Sequence, residues 1–225
     1  LCDMADKLEA AEDLPMALHD MIKDTIAAHK RIIFNGNGYS DEWVAEAERR
    51  GLPNIKCMVD AVPALVKPEA VEIFEKHGVY TKAEMESRAE VMYETYSKTI
   101  NIEALTMIDM AKKQIVPATI KYQTSLAESV NAIKAASSAV DTSVQEALMA
   151  DISTNLKDMY VALAHLEEVA GKAEAMEEGA EQGHYYHDVV FTAMDELRKP
   201  ADKLEMLVAK SAWPFPSYGD LIFEV

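Results

Sequence analysis

Three stripes of apolar residues, each repeating every three or four positions, run through the C-terminal 140 residues and leave little choice of fold. Such spacing places side chains on one face of an α-helix, and a β-strand would scatter them over both faces of a sheet. The first stripe follows Thr81-Lys-Ala-Glu84, a capping-box signature, and reads Met85, Ala89, Met92, Tyr96 and Ile100. Pro117 is expected to kink or break this run, which resumes at Tyr122, Leu126, Val130 and Ile133. Residues 135–141 read as a turn, and Ser143-Val-Gln-Glu146 offers a second capping box. The second stripe is Ile152, Leu156, Met159, Leu163, Leu166, Ala170 and Ala173, ended by the glycines of Glu177–Gly183. The third is Val190, Met194, Leu197, Ala201, Leu204, Val208 and Ser211, with Pro200 expected to kink it. Long helices joined by short turns bury such stripes most simply as an antiparallel up-down bundle.

The N-terminal part is more broken. Helical pieces are expected over 1–12 and 15–30, divided at Leu14-Pro15 with Asp13 as cap. Arg31-Ile-Ile-Phe34 reads as a strand end before a G-x-G turn, and a short helix over 41–50 ends at Gly51 and Pro53. Pro63 argues for an irregular or one-turn piece in 54–66, and Pro68 opens a helix that Gly78 closes. Ser211–Phe223 carries four aromatic residues and two prolines, so an extended tail is expected that needs a surface to lie against, its own bundle or a neighbouring subunit. The expected fold class is therefore all-α: short broken helices, then an antiparallel up-down bundle of about three long helices, then an extended aromatic C-terminal tail.

The formal charge of -17 argues against nucleic acid and anionic lipid as partners. No apolar run reaches the roughly 18 residues of a membrane span, and no basic stretch with an apolar sequel opens the chain. Two cysteines, Cys2 and Cys57, fit a reducing interior, so a cytoplasmic location is expected. The first ten residues already read as the middle of an amphipathic helix without an initiator methionine, which suggests a chain cut from a longer one.

Candidate chemistry is sparse. Asn35-Gly-Asn-Gly38 could be a phosphate cradle, but it lacks the third glycine of a dinucleotide turn and the lysine of a P-loop. Ser40 reads as a helix cap, and Asp41 and Glu42 behind it would repel an anion, so a plain tight turn is favoured. Glu181, His184, His187 and Asp188, with His165 and Glu168 on the preceding helix, could converge as a carboxylate-bridged metal site. A di-iron bundle needs two Glu-x-x-His motifs and only one is present, so exposed polar residues at a helix end are the favoured reading. His29-Lys-Arg31 suits a helix C-terminus, where cations are favoured anyway. Neither cysteine has a base at a recognisable spacing. The methionines sit mostly on the stripes, as core filling. No catalytic, cofactor-binding or metal-ligating residue is assigned.

Read as phrases, Lys30-Arg-Ile-Ile-Phe-Asn-Gly-Asn-Gly-Tyr-Ser-Asp-Glu-Trp43, Glu48-Arg-Arg-Gly-Leu-Pro-Asn54, Lys98–Met110 and Trp213-Pro-Phe-Pro-Ser-Tyr-Gly-Asp-Leu221 resemble the C-terminal part of type III glutamine synthetases. Phe74-Glu-Lys-His-Gly-Val-Tyr-Thr81 is similar to the closing segment of the catalytic domain in glutamine synthetases generally. The resemblance implies a longer enzyme that joins ammonia to glutamate through a γ-glutamyl phosphate made from ATP, with Mg2+ or Mn2+ at the phosphates. It implies that the metal, ATP and substrate residues lie mainly upstream, so none is carried over. Residues 1–110 would be the helical end of the catalytic domain and 111–225 an added helical bundle and tail. The implied partners are the remainder of the catalytic domain and neighbouring subunits of a homo-oligomer. A stand-alone helical interaction or sensory module and a metal-binding bundle enzyme are the competing readings.

Overall fold

The computed structural model describes residues 1–216 and 218–223, and every regular element among them is helical. Two compact units emerge, Leu1–Asn54 and Ile55–Val225.

In the first unit, α1 (Cys2–Glu9) is followed by α2 (Leu14–His29), whose start is fixed as expected: the Asp13 side chain accepts a hydrogen bond from the Met16 amide, with Pro15 in the first turn. A single 3-10 turn, Lys30–Ile32, replaces the expected strand end, because no neighbouring strand is available to pair with it among the described residues. Ser40 caps α3 (Asp41–Arg49) through the Trp43 amide, and Gly51, at φ 77°, ends it in the left-handed conformation that other residues adopt reluctantly. No residue of this unit is buried.

The second unit opens with α4 (Met58–Leu65) and α5 (Pro68–Lys76). The expectation of an irregular or one-turn piece around Pro63 is corrected: α4 is a helix of 8 residues with Pro63 inside its last turn, and it buries Val59 and Val62. Then come three rods. The first joins α6 (Lys82–Met110) to α7 (Val116–Ala136) through a π-helical turn, Ala111–Ile115. The second is α8 (Ser143–Glu174), and the third joins α9 (Ala180–Tyr185) to α10 (Phe191–Leu207) through a second π-turn, Tyr186–Val190.

Cross-links between rods show their directions. Lys112 pairs with Glu167, the Gln123 amide donates to the Met149 carbonyl, and Lys134 pairs with Glu146, so numbers rise on one rod as they fall on the next. The Gln182 side chain donates to the Ala173 carbonyl at the opposite end, which starts the third rod antiparallel to α8. The bundle expected from the stripes is the bundle observed. Ile152, Met159, Leu163, Leu166, Ala170 and Ala173 are all buried, as are Val190, Met194, Leu197 and Leu204.

Pro117 neither breaks nor ends the first rod. Proline has no N–H to offer four residues back and its ring crowds that carbonyl. The wider turn at Ala111–Ile115, closed by the Val116 amide on the Ala111 carbonyl, absorbs the misfit immediately upstream. Pro200 likewise sits inside a continuous α10. The capping box expected at Ser143 is also corrected. Thr142 is the cap residue without a side-chain cap bond, the Ser143 amide is taken by Asp141, and Glu146 is drawn to Thr142 and Lys134.

The tail is extended only in part. Beyond Val208 the chain turns, and the Trp213 amide donates back to Ala209 and Lys210. Trp213 and Phe215 pack edge to face on the bundle core. Once past Pro216 nothing forbids helix, and Tyr218–Phe223 form the short α11, tied by an ion pair from Lys210 to Asp220. Ser217, within the expected tail, lies outside the described residues.

Candidate functional site

The Phe34–Trp43 stretch folds into a braced turn. The Asn37 side chain accepts from the Tyr39 amide, the Ser40 hydroxyl donates to the Asn37 carbonyl, and Ser40 then caps α3. This brings the rings of Phe34 and Trp43 together, centroids 3.9 Å apart. The Arg50 guanidinium lies 6.0 Å and 5.8 Å from the two ring centres and donates to the Arg31 carbonyl. Glu46 binds Arg49 and Arg50 together at 2.6 Å, and their hydrogen bonds, Arg49's first, hold its carboxyl down to about 2. A β-carbon on Gly36 would come within 2.5 Å of the outer edge of the Phe34 ring and displace it, while Gly38 faces open space. Packing therefore constrains Gly36 and leaves Gly38 unconstrained. A cleft of about 770 Å3 beside the turn is lined by Arg31, Arg49, Arg50 and Trp43. Of the basic trio His29, Lys30 and Arg31, the Lys30 carbonyl accepts from the Ile33 amide and the Arg31 carbonyl from Arg50.

The histidines and carboxylates of the third rod do not gather. His187 pairs with its neighbour Asp188 at 2.7 Å, and its ring stacks along Phe191. His184 turns toward Asp60 on α4, 3.7 Å away, and Glu168 is held by Lys172. Glu181 is exposed, as is His165. Among the described residues no group of three His, Cys, Asp or Glu side chains is placed to hold a metal ion.

One grouping escaped the sequence because its members are 127 positions apart: Cys57, Asp60 and His184. The Cys57 thiol donates to Asp60 at 3.0 Å, and Asp60 faces His184. Burial, and then the bond to Asp60, push the thiol up from its ordinary value. The order thiol–carboxylate–imidazole is wrong for a nucleophile, since the base contacts the carboxylate instead of the sulfur. Here it fastens α4 to the third rod. Gly183 does the same by absence: it is buried, and a β-carbon would approach the side chains of Val59 and Tyr93 to 3.2 Å. The sequence showed this glycine only as a helix interruption. Cys2 is exposed and free, and no described helix is long and apolar enough to cross a membrane.

The fold and its braced turn define an all-α module built on a bundle of long helices. Residues 17–134 match the glutamine synthetase C-terminal domain, and the chain belongs to that family. It is 37% identical over 216 residues to a glutamine synthetase of Butyrivibrio fibrisolvens, covering 96% of this chain and 31% of that protein. A type-3 glutamine synthetase of Dictyostelium discoideum is 29% identical over 92% of this chain and 29% of its own length. A glutamine synthetase of Bacteroides fragilis is 30% identical over the same shares. The chain thus spans about a third of the length of these relatives.

Proposed function

We propose that this chain is the C-terminal helical region of a type III glutamine synthetase, an enzyme making glutamine from glutamate, ammonia and ATP. Within it these helices serve folding and subunit contacts. ATP, Mg2+ or Mn2+ and the substrates are bound by the remainder of the enzyme, which assembles as a homo-oligomer in the cytoplasm. The carrying observation is the match along 96% of this chain to only 31% of a glutamine synthetase. The exposed stripe on α2 supports it: Leu14, Leu18, Ile22 and Ile26, four residues apart, are each 42–53% exposed. Such a row on one helix face is suited to packing against another protein surface.

The test places Leu18→Glu and Ile22→Glu together in the full-length enzyme. Assembly and glutamine formation fall together, whereas the 225-residue chain carrying the same pair keeps its helical content. An assembled, fully active double variant would refute the assignment of α2 to these contacts.

A further inference from the structure

We propose that the groove where α6 meets the junction of α8 and α9 is a binding site for a small primary ammonium cation. A cavity of about 240 Å3 opens there, lined by Ser97 and Asn101 from α6, Glu174 and Glu178 at the end of α8, and Gln182 and Tyr186 from the third rod. Ser97 is only 3% exposed and its hydroxyl has no hydrogen-bond partner; the Asn101 side-chain oxygen is buried and equally unpartnered. The helix itself offered Ser97 a solution. Thr95, Thr99 and Thr106 on α6 each donate to the carbonyl four residues back, and Ser97 does not. Leaving a buried oxygen unbonded is costly, and groups left this way ask for a partner the chain does not supply.

The chemistry of that partner follows from what surrounds the orphans. Gln182, 7% exposed, spends its side-chain N–H on the Ala173 carbonyl, which leaves its own carbonyl oxygen as the free end. Ser97, Asn101 and Gln182 thus contribute three neutral oxygen acceptors, matching the three donors of an R–NH3+ group. Glu94, Glu174 and Glu178 face a single cation, Lys98, which is paired with Glu94. The surplus of two negative charges repels anions and attracts cations. A divalent metal is a poor fit because the carboxylates do not converge. The cavity exceeds the roughly 30 Å3 share of one water, so a short alkyl tail has room beside the Tyr186 ring.

Calorimetric titration of the 225-residue chain with n-butylammonium chloride tests the site, with tetramethylammonium chloride as a probe of equal charge and no N–H donors. Saturable binding of the primary amine at least about tenfold tighter than the quaternary ion is expected. Ammonium chloride, run alongside, separates the free ion from an amine-bearing molecule as the carrier of the donors. Ser97→Ala and the pair Glu174→Gln with Glu178→Gln each weaken the amine, and unchanged thermal unfolding of Ser97→Ala shows that the fold persists. Equal affinity for the two alkylated cations, absence of saturable binding, or indifference to both sets of variants would overturn the proposal.

Discussion

Gly183 lies so close to Val59 that a β-carbon on the glycine would stand 3.2 Å from the valine side chain. Val59 is fully buried and Tyr93, the other neighbour at 3.2 Å, is nearly so, which leaves neither free to yield. Through this approach α4 is seated on the third rod. Gly183→Ala should lose about 1 kcal/mol of stability, overpacking outweighing the helix propensity that alanine adds. Gly171, in α8 with open space around it, is the control, and Gly171→Ala should gain about 0.5–1 kcal/mol. Denaturant midpoints compare the two directly.

Gly36 makes the same argument for the turn. A methyl at 2.5 Å from the Phe34 ring forces the ring off Trp43, so Gly36→Ala should change Trp43 emission while removing about 0.5–1.5 kcal/mol of ring contact. Gly38→Ala should leave emission unchanged. The chain has two tryptophans, and a Trp213→Phe background makes Trp43 the sole reporter.

Acid should loosen this turn over a defined range. The folded Glu46 carboxyl sits at about 2 against an ordinary 4.5, a depressed value. Its stabilising contribution is therefore complete above about 4.5 and disappears as pH falls toward about 2. Trp43 emission in the Trp213→Phe background should change through that interval, and Glu46→Gln should flatten the change.

Trp213 and Leu221 divide the tail. Trp213 packs on the core beside Ile115 and Leu197, whereas Leu221 is 62% exposed. Trp213→Ala should remove about 1–3 kcal/mol and lower the thermal midpoint, and Leu221→Ala should stay within about 0.5 kcal/mol. Thermal unfolding followed by circular dichroism reads both.

Much of the bundle was legible because a buried helix face must recur every three or four residues, and Ile152, Met159, Leu163 and Leu166 obey that rule. In the first rod the stripe centre was misread by one position: Tyr93 and Ser97 are buried, while Met92 and Tyr96 are only partly so. A polar serine carries no hydrophobic signal, and for that reason the cavity it lines was invisible. The π-turns at Ala111–Ile115 and Tyr186–Val190 also left no mark, since an added residue per turn alters phase without altering composition. Local capping signals were reliable where one residue decides, as at Asp13, Ser40 and Thr81. At Ser143, where Asp141, Thr142 and Lys134 compete for the same groups, they were not. Contacts such as Asp60 with His184 depend on tertiary docking and have no local signature.

The central claim is that these helices support a reaction whose chemistry is housed elsewhere in a longer enzyme. A γ-glutamyl transfer assay on the purified 225-residue chain, supplied with Mg2+ or Mn2+ and nucleotide, tests it most directly. Turnover at background is predicted. Robust turnover by this chain alone would contradict the account.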